Sequence, residues 1–142
     1  MSRQYTLRPA RQEDCDELFP IARDFATSFV VEPDGFGELL AGLIRDEAAW
    51  LQVAEADGGL IGYLLGFDHL TFYANGRVSW VEEVTVLESW RREGVGAALM
   101  AAFEEWARER NSRLVALATR RAAPFYSALG YEESAIYFRH LL

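Results

Sequence analysis

At Gly94 the hydrophobic pattern changes period. Before it, Val78, Trp80, Val84 and Val86 occupy alternate positions, as in a strand; after it, Val95, Leu99, Phe103 and Trp106 recur at helical spacing, with Glu104, Glu105 and Arg108 on the other side. A strand that leads through a short loop into an amphipathic helix is a unit of mixed α/β architecture, and the rest of the chain agrees with it. Tyr5 to Arg8 reads as a first strand ended by Pro9. Asp14 is placed to cap a helix through Leu18, Ile21, Ala22 and Phe25, with Pro20 kinking it or splitting off its first turn. A second short helix follows Asp34.

Trp50 to Glu55 and Leu60 to Phe67 are β-rich runs around Ala56-Asp57-Gly58-Gly59, a strong hairpin signal, and Asn75-Gly76 marks the turn before the strand Val78 to Val86. Arg113 to Ala118 reads as a strand and Arg121 to Leu129 as a short helix, closed by Gly130 as a left-handed cap. Tyr131 to Leu141 is expected as a long last strand. The order β-α-α-β-β-β-α-β-α-β predicts an α/β (α+β) fold, with a mixed sheet and helices on its faces.

The 142 residues are expected to form one domain spanning 1–142, because the length suffices for a single core and no repeat or linker divides it. Half-hydrophobic composition rules out a disordered or collagen-like chain. No apolar run approaches the roughly 20 residues that span a bilayer, and the first residues lead directly into a strand pattern, so a cytoplasmic protein without membrane contact is expected. The single Cys15 makes no internal disulfide, and no Cys or His has zinc-ligand spacing, so no metal is expected. A net charge of −8 repels phosphate backbones and argues against nucleic acid as partner, favouring cationic small molecules instead.

The loop after Val86 has the chemistry of an anion site. The first N–H groups of a helix lack internal partners and lie at the positive end of its dipole, Gly94 and Gly96 let a phosphate approach the backbone, and Arg91 and Arg92 supply planar donors. A P-loop is absent, and Leu99 stands where a dinucleotide fingerprint needs its third glycine.

These residues resemble the GCN5-related N-acetyltransferase (GNAT) family. Its Arg/Gln-x-x-Gly-x-Gly/Ala loop is matched at Arg91, Gly94 and Gly96, and its Phe/Leu-Tyr-x-x-x-Gly-Phe/Tyr signature is similar to Phe125-Tyr126 with Gly130-Tyr131. The resemblance implies a splayed sheet that holds acetyl-CoA as cosubstrate. The contacts it implies are Val84, Thr85 and Val86 for the pantetheine arm, Arg91, Arg92, Glu93, Gly94, Val95, Gly96 and Ala97 for the pyrophosphate, and Thr119 and Phe125 beside them. Glu93 and Thr119 depart from the family pattern, which often has a basic residue or glycine at the first position and asparagine at the second.

An alkylammonium with a pKa of about 10.4 must lose a proton before it attacks a thioester, so the activity implied needs a base. Glu82 is the first candidate: uninterrupted alternation puts it on one face with Val84 and Val86, where apolar neighbours raise its pKa. Glu83 is the second, and its alternative role is to bind the acceptor's cationic end. Tyr126 holds the position of the family's acid, which returns a proton to the CoA thiolate. For the acceptor, a small amine, the resemblance implies walls from Phe29, Val31, His69 and Tyr73. An acyl-CoA-binding sensor and a transferase for another acyl-CoA stay open as alternatives, as does a homodimer paired through the last strand.

Overall fold

The computed structural model describes residues 3–142. Its sheet has five strands in sequence order: β1 (Thr6–Pro9), β2 (Ala49–Ala56), β3 (Gly59–Thr71), β4 (Gly76–Val86) and β5 (Val115–Leu117). The first four pair antiparallel, and β5 joins β4 in parallel. Four helices complete the fold: α1 (Cys15–Phe25), α2 (Phe36–Arg45), α3 (Val95–Glu109) and α4 (Ala123–Ala128).

Local chemistry explains the main turns. Asp57 and Gly58 both adopt left-handed φ angles, 54° and 78°, as the two central residues of a tight hairpin with right-handed twist must. Gly130 closes α4 with φ 95°. Pro20 lies within a continuous α1, which it does not split. Asp14 does not cap α1 through its side chain. Its carboxylate instead accepts the Arg11 amide at 2.7 Å, closing the short 3-10 turn ahead of α1, and pairs with Arg8 at 2.8 Å.

Two apolar cores lie on opposite faces of the sheet. On one, α3 sets Val95, Leu99, Met100 and Phe103 against Ala54, Leu64 and Val81, with Tyr126 and Leu129 from the α4 region at the margin. On the other, α1 and α2 pack Leu18, Ile21 and Leu40 against Val53, Tyr63 and Leu65. At the end of α3, the fully buried Asp68 carboxylate accepts from Arg110 and, at 3.1 Å, from Arg77, which ties the helix to β3 and β4.

The expected last strand is not formed. Residues 131–142 carry no regular secondary structure, and Ile136 and Phe138 remain 82% and 85% exposed. β5 is only three residues long and these side chains reach no apolar face, so nothing offsets the entropy of ordering another strand.

Candidate active site

The site takes its form from two irregularities in β4. The first is a bulge: Leu65 lies opposite Glu83 while Gly66 lies opposite Val81, so Glu82 is left out of the ladder. Bulged residues break the alternation of faces. Val81, Val84 and Val86 all turn toward the α3 core, whereas Trp80 is registered with Phe67, whose side chain packs on the α1–α2 core. Glu82 is exposed, contrary to the expectation of an apolar setting, because continuous alternation does not survive the extra residue.

Glu83 occupies the setting expected for Glu82. It is partly buried on the α1–α2 face and accepts a hydrogen bond from the Tyr63 hydroxyl at 2.6 Å. Burial pushes its carboxyl above the usual carboxylate range; the Tyr63 hydrogen bond works against that rise and the charge of Glu82 adds to it. The Tyr63 phenol is pushed far up, first by burial and then by the charge and hydrogen bond of Glu83.

The second irregularity is the parting of β4 from β5. Their pairing runs from Ser79 and Val115 to Val81 and Leu117 and then stops, so Glu82 to Val86 face β5 without a ladder partner. A wedge therefore opens along the strand edge that carries Val84, Thr85 and Val86. An extended ligand with amide groups can add to such an edge as a strand would.

At the end of this wedge the loop turns through a 3-10 segment, Glu88–Trp90, and then through left-handed residues at Arg92 (φ 64°) and Gly94 (φ 83°). Gly94 is the N-cap residue of α3 and no side chain caps that helix, which leaves its first amides, those of Val95, Gly96 and Ala97, directed at the cleft mouth. A Cβ on Gly96 would lie 3.3 Å from Phe125 Cζ, so this glycine lets α4 approach the helix start. Arg91 and Arg92 are exposed beside the loop and Glu93 is partly buried; Arg91 Nε donates to the Val86 carbonyl at 3.3 Å. The Arg3 guanidinium stacks 3.5 Å from the centre of the Trp90 ring and donates to the Ser89 carbonyl, bracing the loop from the far end of the chain.

Tyr126 stands beside Phe125, with ring centres 5.0 Å apart, and burial raises its phenol above the ordinary value. A phenol so placed stays protonated near neutral pH and retains a proton to give. Thr119 uses its hydroxyl to accept the Ala122 amide at 3.0 Å, holding the turn into α4.

The acceptor-wall residues are not all brought together. His69 is registered with Val78, about 15 Å along the strands from Glu83 at roughly 3.3 Å per residue, and Tyr73 is at the hairpin tip beyond it. Phe29 and Val31 lie on the α1–α2 connection, against which the chain's end folds: Arg139 donates to Ser28 Oγ at 2.9 Å. Sequence reasoning missed Tyr63, Arg3 and Arg139. The only signal for Tyr63 was a hydroxyl tip within an otherwise apolar strand.

Among the described residues no cluster of His, Cys, Asp and Glu suits a metal ion, and no helix is long and apolar enough to cross a membrane.

Known proteins share this fold and sequence pattern. The Acetyltransferase (GNAT) family model matches residues 8–131. The chain is 32% identical to an N-alpha-acetyltransferase of Sulfurisphaera tokodaii, covering 97% of this chain and 86% of that one. It is 31% identical to the aminoglycoside N(6')-acetyltransferase type 1 of Stenotrophomonas maltophilia, covering 75% of each. The solved structure of AAC(6')-Iy, in complex with a CoA-S-monomethyl-acetylneamine bisubstrate analogue, shares the fold with a TM-score of 0.80 at 22% identity, covering 98% and 99% of the two chains.

Proposed function

Because the chain belongs to the GNAT acetyltransferase family and is an acetyl-CoA-dependent N-acetyltransferase, we propose that it acetylates a small cationic amine by direct attack, with Glu83 as base and Tyr126 as acid. The observation that carries this reading is the Glu83 carboxyl: partly buried, without an arginine partner among the described residues, and next to the point where β4 leaves β5.

The cosubstrate's pantetheine arm adds to the open edge at Val84 to Val86, and its pyrophosphate meets the amides of Val95, Gly96 and Ala97 with Arg91 and Arg92 alongside. The thioester carbonyl then lies near the bulge, where a backbone N–H can donate to the oxygen that gains charge. Glu83 takes the proton of the incoming ammonium, directly or through water; the free amine attacks the carbonyl carbon; the C–S bond breaks as Tyr126 gives a proton to the thiolate, whose conjugate thiol has a pKa of about 8.5; and the nitrogen, still carrying an extra proton, releases it to restore the phenol, while Glu83 returns its own proton to solvent. The raised pKa of Glu83 suits it to its step, since a base works best when its pKa is near the operating pH, and the raised pKa of Tyr126 keeps its proton in place until the thiolate leaves.

Support for the acceptor class comes from the net charge of −8, from the exposed Glu82 beside the base, and from a relative named for an aminoglycoside acceptor. A peptide α-amine is the second reading, favoured by the Sulfurisphaera tokodaii relative. A screen of amines and short peptides for release of free CoA distinguishes them: turnover with small polyamines or aminosugars and none with peptides is expected. With the best acceptor, Glu83→Gln should lose about 100-fold or more in kcat while Glu82→Gln stays within a few-fold. Full activity in Glu83→Gln with an unchanged pH profile would overturn the assignment of the base.

A further inference from the structure

Tyr63 lies at the centre of β3 and is 2% exposed, surrounded by Leu18, Ile21, Leu40 and Val53. A phenylalanine would fill that apolar space equally well, so the packing does not call for a hydroxyl. The hydroxyl nevertheless ends on Glu83 Oε1 at 2.6 Å, its one hydrogen bond among the described residues.

The register of β3 and β4 creates this contact. Tyr63 is registered with Thr85 and Leu65 with Glu83, so Tyr63 and Glu83 are diagonal neighbours on one face of an antiparallel pair. Glu83 keeps the alternation of Val84, Thr85 and Val86, and the bulge begins one residue earlier, at Glu82, which it leaves without a partner.

We infer that Tyr63 is a positioning residue of the acetyl transfer: its single O–H fixes one oxygen of the Glu83 carboxylate and leaves the other to take the amine's proton. This rests on the reading of Glu83 as base. A carboxylate on a side chain with three rotatable bonds would otherwise sample several orientations, only some of which reach the acceptor. The same hydrogen bond favours the ionised form and so opposes the effect of burial. The other titratable groups around this patch are Glu82 on β4, whose charge raises the pKa, and Cys15 and Glu17 on α1. Glu17 is held by the Leu60 amide at 2.9 Å, and the charges of α2, Glu38 in its first turn and Arg45 in its last, are both exposed.

The test compares kcat against pH for the parent enzyme and for Tyr63→Phe, with one saturating acceptor so that the acceptor's own titration is common to both. Loss of a donor to a charged group should move the acid limb up by about one unit, which is a roughly tenfold loss of rate below the limb and a smaller loss on the plateau. Replacing Tyr63 by 3-fluorotyrosine, a more acidic phenol of nearly the same shape, should move the limb down, and it serves as the readout if Tyr63→Phe folds poorly. A purely structural role would change stability or kcat at every pH and leave the limb in place; that result in either variant overturns the inference. Glu83→Gln keeps the two claims separate. If it abolishes the limb while neither Tyr63 variant moves it, the base stands and the positioning role fails; if it leaves the limb intact, the base assignment itself fails.

Discussion

Glu82 and Glu83 are chemically identical and adjacent, yet one is in solvent and the other is desolvated beside a buried phenol. The difference arises from the position of one bulge and not from either side chain. Burial raises the Glu83 pKa, so its carboxylate form, the active one under the proposed mechanism, is lost as pH falls through that raised value, and activity should fall at a higher pH than for an ordinary glutamate. Tyr126 is a matching case on the acid side: burial keeps it protonated. In Tyr126→Phe the ring still packs on Phe125, so kcat should fall at least tenfold while calorimetry shows nearly unchanged acetyl-CoA affinity. An equal loss in both would make the tyrosine a binding residue.

Among the elements, the β4–loop–α3 unit depends on glycines for reasons that differ by position. Gly94 has φ 83° with open space around it, so alanine there would cost about 1–2 kcal/mol in backbone strain with no clash. Since the conformation it supports aims the first amides of α3, Gly94→Ala should raise the KM for acetyl-CoA more than it lowers the melting temperature. Gly66 in β3 presents the opposite case. A Cβ there would lie 2.3 Å from Phe103 Cε1 and 3.0 Å from the Trp80 carbonyl, which the packed core cannot absorb without moving α3. Gly66→Ala should therefore lower stability by about 1–3 kcal/mol in urea unfolding, with an acetyl-CoA KM near the parent value in the folded fraction.

On the scale of the whole molecule, polar clusters fasten elements that the apolar cores leave free to slide. Arg8 in β1 reaches Asp14 at 2.8 Å and Glu55 at 3.0 Å, linking the first strand, the turn before α1 and β2. The Arg8 hydrogen bond, partly opposed by burial, holds Asp14 below the usual carboxylate range. A depressed folded-state pKa gives stability that is present above the unfolded value of about 3.9 and is lost as pH falls through the folded one. Asp14→Asn should thus cost about 2 kcal/mol at pH 7, with the gap to the parent closing as both approach pH 3. A constant gap across that range in urea titrations would show that the carboxylate's charge contributes nothing.

The parts legible in the sequence were those set by neighbours along the chain. The hairpin at Asp57-Gly58, the period change at Gly94, the helix of Leu99 and Phe103, and the glycine and arginine pattern of the loop follow from backbone permissiveness, side-chain spacing and helix-end electrostatics, all local quantities. What escaped was set by register and by partners far along the chain. The bulge that leaves Glu82 unpaired and in solvent leaves no local mark, because a strand's period of two carries no record of one unpaired residue. Tyr63 meets Glu83 across 20 positions, Arg3 braces Trp90 from the first strand's approach, and residues 131–142, apolar enough to read as a strand, are offered only the edge of a three-residue β5. Sequence alone determined the elements through α4 and what ligand chemistry the loop offers; tertiary pairing decided that no last strand forms and which carboxylate is desolvated, because both depend on what the other strands and helices place around them.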